Sequence, residues 1–277
     1  MTEPYSAVVD EYCQRLLSVL PGDVVGIYLN RSIALGAYHD GKSDIDCTVL
    51  LSDSLDGHCV DLLRGMHCDI AHKYSGQHLE CQYLPRAQLG KQADHIAPFY
   101  SYHDGVLSLG KFNAHDVTWY QLKMHGVILY GDGTSLQQIP TSIEDVKQYV
   151  IENVNTYWRS WRTQAGRIAS KWGLATLRDG AVEWGVSGIS RMHYTLAQDG
   201  IVSKDKALEY ALLHTDHTHH RILMEAMRIR TGKGRKKYWN PVRRKRDMLR
   251  YIDTVITACN AACDAVTLTN HNTSNPR

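Results

Sequence analysis

At 277 residues, with 43 % hydrophobic and 22 % charged side chains, the chain has the composition of a soluble globular protein and length enough for one large domain or two modest ones. No apolar run approaches the ~20 residues of a membrane span, and MTEPYSAVVDEY lacks the basic and apolar regions of a secretory leader, so a cytoplasmic location is expected. Seven cysteines without C-x-x-C spacing argue against a disulfide framework and a zinc ribbon.

In chain order, Ala7, Val8, Tyr12, Leu16, Leu17 and Leu20 recur at helical spacing and predict a helix that ends at Pro21-Gly22. VVGIYL follows as a buried strand. After the loop GAYHDGKS, DIDCTVLL reads as a second strand, then an amphipathic stretch to about Gly65, then LECQYL at 79–84 as a third. HDVTWYQLKMHGVILYGDG predicts a helix, a short apolar strand and a glycine turn. From Ser142 the periodicity is helical over 142–171, 180–198, 203–213, 217–230 and 241–266. The expectation is an α/β domain over 1–140, an all-α domain over 141–266 and a polar tail over 267–277.

Asp44 and Asp46 flank Ile45 at the start of the second strand. Alternate strand residues share a face, so two negative charges stand side by side. A solvated edge is one reading. Two further features favour a site. Ser32 lies in the turn after the first strand, where its hydroxyl and nearby N–H groups suit a phosphate. Glu80, between Leu79 and Cys81 on the third strand, supplies a third carboxylate. Converging acids of this kind are tolerable around Mg²⁺, a hard cation that takes oxygen ligands, together with a nucleoside triphosphate.

This pattern of strand, serine-bearing turn, Asp-x-Asp and a later apolar-acid-apolar strand resembles the nucleotidyltransferase superfamily. SGISRMHYTLAQDGIVSKDKALEYAL at 187–212 is similar to the helical domain of the streptomycin/spectinomycin aminoglycoside adenylyltransferases. The resemblance implies a polymerase beta-like mixed sheet followed by a C-terminal helical bundle. It implies transfer of AMP from ATP to a hydroxyl of an aminoglycoside-like small molecule, as in antibiotic resistance. Asp44 and Asp46 would hold Mg²⁺ on the ATP phosphates, and Glu80 would accept the proton of the attacking hydroxyl. Ser32, Ser43, Arg191 and Lys204 would contact the nucleotide. Trp172, Asp179 and Glu183 fall near positions that the family uses for its cationic substrate; core packing for Trp172 and a solvated face for Asp179 are the other readings.

Two features depart from that family. Arg31 stands where the family has glycine before the serine, so that it swings outward, touches phosphate or impairs the site. Residues 228–250 hold eleven Arg or Lys and a single Asp, with Tyr238 and Trp239 among them. That run is the basis of the alternative reading, a nucleotidyltransferase or binding protein acting on RNA or other nucleic acid.

Overall fold

The computed structural model describes the backbone of residues 3–111, 114–167 and 170–273, with side chains as far as residue 263. The chain divides into two compact units, Met1–Ser142 and Ile143–Arg277.

In the first unit, α1 (Ser6–Val19) leads into β1 (Val24–Leu29) and the short α2 (Arg31–Ala34). β2 (Ile45–Leu51), α3 (Gly57–Lys73) and β3 (Leu79–Pro85) form a strand–helix–strand crossover, and β2 and β3 pair in parallel, as such a connection allows. A hairpin, β4 (Phe99–His103) and β5 (Val106–Gly110), precedes α4 (Asp116–His125), β6 (Val127–Tyr130) and α5 (Thr134–Gln137). The six strands lie in the order β5-β4-β3-β2-β1-β6, all other pairs being antiparallel.

Strand alternation separates two cores. Ile45, Cys47, Val49 and Leu51 of β2, with Leu79, Cys81 and Tyr83 of β3, belong to the core that α1 and α3 cover. Leu50 and Leu84 belong to the other, with Trp119, Leu122 and Leu136 of α4 and α5. Asp46 and Glu80 share the parity of Leu50 and Leu84, so both project on that second face. α3 extends past Gly65 to Lys73, because Met66 and Ile70 continue its buried stripe; Asp56 caps its start by accepting from the Cys59 N–H at 2.7 Å.

The second unit runs through α6 (Ile143–Asn153), a π turn at Val154–Trp158, α7 (Arg159–Gly166), α8 (Lys171–Ala175), α9 (Asp179–Gln198), α10 (Lys204–His214), α11 (His220–Thr231) and α12 (Pro241–Thr273). α9 is central and packs on α10, α11 and α12. Val182, Val186 and Ile189 form its buried stripe, and the buried hydroxyls of Ser190 and Tyr251 meet at 2.6 Å. A Cβ at Gly188 would lie 2.8 Å from the Trp158 ring, so glycine permits that close approach. α12 continues into the stretch expected to be a tail, of which residues 274–277 lie outside the described residues.

Candidate active site

The parallel register sets Asp46 of β2 directly opposite Glu80 of β3. Both sit one residue inside their strands, on the same face, at the end where the strands begin. Asp46 is 7 % exposed. Burial raises its pKa to about 6; Asp44 and Glu80 push the same way, and the Arg31 guanidinium opposes them. Asp44 falls one residue before β2, in an exposed position, so the Asp-x-Asp pair straddles the strand start rather than lying wholly within it.

The turn between β1 and β2 is tied to this strand end. The Asn30 N–H donates to the Asp46 carbonyl at 3.0 Å, and the Asn30 side-chain amide donates to Thr48 Oγ1 at 2.8 Å. The Ser32 hydroxyl donates to the Asp44 carbonyl at 3.4 Å, and the His39 N–H donates to Ser43 Oγ at 3.1 Å. Arg31 adopts φ 48°, a left-handed conformation that favours glycine. Its side chain does not swing outward. Its Nη1 lies 2.8 Å from Asp46 Oδ1, because a nearly buried carboxylate draws in the closest cation.

Glu80 has two partners that the sequence reading missed. His103 Nδ1 contacts one carboxylate oxygen, and the Asp104 N–H donates to the other at 3.1 Å. The contact with Glu80 raises the His103 pKa. The available signal was Asp104-Gly105, a two-residue hairpin turn with both residues at positive φ, flanked by YSYH and VLSL. Among the described residues, Glu80, His103 and Asp104 also bring ligating atoms within 4.8 Å of one another, and could hold a cation. Beside them opens a cavity of about 450 Å³ lined by Asp44, Glu80 and Asp104 and by His67, Tyr74 and Tyr102. His67 is buried, stacked on Tyr102 at 3.7 Å and bonded to the Tyr83 hydroxyl at 2.6 Å; burial lowers its pKa to about 3.

The donor set suits Mg²⁺. Asp44 and Asp46 offer carboxylate oxygens, and burial, reinforced by the negative charges of Asp44 and Glu80, leaves Asp46 at a raised pKa, which a divalent cation would relieve.

In the helical unit, Lys204 lies 3.2 Å from Glu183, and Arg230 contacts Glu183 and Asp205 at 3.4 and 3.0 Å. Burial lowers the Lys204 pKa, with Arg230 and Arg191 pushing the same way, so Arg191 belongs to this cationic cluster. Asp179 is held by Arg244 at 2.5 Å and by Arg228 at 3.5 Å, and Trp172 is 58 % exposed rather than packed in a core. The basic run therefore divides. Arg244 and Lys245 are buried, Arg228 and Arg230 are paired, and the fully buried Glu225 compensates Arg228 and Arg244. Lys233, Arg235, Lys236 and Trp239 remain exposed in the loop before α12.

No protein-family model matches the chain, and no curated protein matches it. Among solved structures it is similar to spectinomycin adenyltransferase AAD(9) from Enterococcus faecialis with ATP and spectinomycin. The TM-score is 0.63 and the identity 13 %, over 92 % of this chain and 98 % of that one. The fold is that of a nucleotidyltransferase with a C-terminal helical domain. A toxin–antitoxin with AMP-PNP matches over 53 % of this chain and 90 % of its own, at 17 % identity and a TM-score of 0.30, too low to add to that statement.

Proposed function

We propose that this protein transfers AMP from ATP to a hydroxyl of a cationic, aminoglycoside-like small molecule. The observation that carries the reading is the side-by-side register of Asp46 and Glu80, with Asp44 at the strand mouth, in a nucleotidyltransferase fold. Glu80 takes the proton of the acceptor hydroxyl as its oxygen attacks the α-phosphorus; the bond to the β-phosphate oxygen breaks and pyrophosphate leaves. His103 and the Asp104 N–H hold the Glu80 carboxylate in position. Asp44 and Asp46 would hold Mg²⁺, which when bound neutralises phosphate charge and stabilises the departing pyrophosphate. Ser32 and Ser43 of the turn are the proposed nucleotide contacts.

The acidic, aromatic-lined cavity beside Glu80 supports a cationic acceptor. Within the helical unit Trp172 presents an exposed ring, whereas Asp179 and Glu183 are already neutralised by arginine and lysine. Pyrophosphate release with ATP and Mg²⁺ across a panel of aminoglycosides tests the reading.

A second reading rests on the exposed loop, where Trp239 is 89 % exposed beside Lys233, Arg235 and Lys236, a combination suited to stacking on bases and contacting phosphates. Short RNAs run in the same assay separate the two: release only with RNA makes the acceptor a nucleic acid.

A further inference from the structure

Asp46 is the least accessible acid of the site, and the cation in contact with it is Arg31 of its own chain. Arg31 is fixed at its backbone: its carbonyl accepts from the Leu35 N–H at 3.0 Å, and the preceding Asn30 is bonded to the Asp46 carbonyl. Its side chain is otherwise 52 % exposed, so it can leave Asp46 for solvent or for an incoming anion without moving the turn. A guanidinium is a permanent cation with several donors, matched equally to carboxylate and to phosphate oxygens.

We propose that Arg31 is the resident counter-ion of Asp46 in the free protein, and that it keeps a free divalent cation off this carboxylate until a polyphosphate draws the guanidinium away. Nucleotide and metal then enter together, not metal first. The inference rests on the reading of Asp46 as a ligand of the nucleotide-bound metal. Two cations compete for one carboxylate before the nucleotide arrives. Afterwards the triphosphate supplies enough negative charge for both. Glycine at this position would leave the ligand open to metal alone; arginine makes metal occupancy conditional on nucleotide.

The test uses the full chain and Mn²⁺, titrated calorimetrically without nucleotide, and then metal-free ATP titrated in EDTA. Arg31→Gly suits the positive φ, and Arg31→Met removes the charge while keeping bulk, should the glycine turn prove too loose. Both variants are expected to bind Mn²⁺ alone about tenfold or more tightly than wild type, and metal-free ATP about tenfold or more weakly. Their melting temperatures in EDTA should fall, since Asp46 then lacks its cation. Unchanged or weaker Mn²⁺ binding in both variants overturns the inference. Asp46→Asn separates this failure from that of the site itself. If Asp46→Asn leaves Mn²⁺–ATP binding at the wild-type level, Asp46 is no ligand and both readings fall. If it abolishes that binding while the Arg31 variants match wild type, only the counter-ion role falls.

Discussion

Replacing Asp46 by asparagine should abolish AMP transfer and yet stabilise the metal-free protein. The carboxylate is 7 % exposed, and burial holds its pKa at about 6 against an ordinary value of 3.8. A carboxyl whose pKa is higher folded than unfolded loses stability as pH rises from the unfolded value through the folded one. At 1.36 kcal/mol per unit the ionised Asp46 costs about 3 kcal/mol at pH 7.5, and roughly half of that at pH 5. Asparagine keeps the shape without the charge. Arg31 loses a partner, but its half-exposed guanidinium returns to water. Urea denaturation in EDTA should therefore show the variant more stable by about 2–3 kcal/mol at pH 7.5, with a smaller gap at pH 5 and an unchanged m-value. A variant that is less stable than wild type at pH 7.5 would mean that Arg31 more than compensates the burial, and would refute the argument that this acid is retained for function at a cost in stability.

His67 gives the opposite pH dependence. Its pKa is lowered to about 3 by burial, so the unfolded chain binds a proton below pH 6.5 that the folded one refuses, and stability drops as the solution is acidified through that window. Wild type should lose about 2 kcal/mol more than His67→Gln between pH 7.5 and pH 5; equal losses would show that the ring is protonated in place. Glu80→Gln should leave ATP binding within a few-fold while reducing turnover by roughly 10²–10⁴-fold, the usual effect of losing a general base; calorimetry that finds ATP affinity lost would make Glu80 a ligand instead. Glu225→Ala should destabilise the protein by about 3 kcal/mol or more in thermal or urea melts, because Arg228 and the buried Arg244 lose their shared carboxylate.

The parts of the fold legible in the sequence were those with strong periodicity or continuous apolar runs: α1, β1, β2, β3, β6 and the long helices of the second unit. The β4–β5 hairpin was missed because only Val106, Leu107 and Leu109 give β5 an apolar character, and with it went His103, the neighbour of Glu80. Asp44, Asp46 and Glu80 could be picked out because acids among strand residues demand an explanation. The orientation of Arg31 could not, since it depends on how deeply a carboxylate on the neighbouring strand is buried. The pairing inside the basic run was illegible for the same reason: sequence counts charges, whereas Glu225, Asp179, Glu183 and Asp205 come to neutralise Arg228, Arg230 and Arg244 only when α9, α10, α11 and α12 pack.

The most direct test of nucleotidyl transfer at the Asp44–Asp46–Glu80 site follows the label of ATP carrying ³²P at the α or the γ position, with Mg²⁺ and the aminoglycoside panel. The α label should move onto the acceptor, the γ label should leave in pyrophosphate, and Asp46→Asn should stop both. Appearance of the γ label on the acceptor, or α transfer that survives in Asp46→Asn, would contradict it.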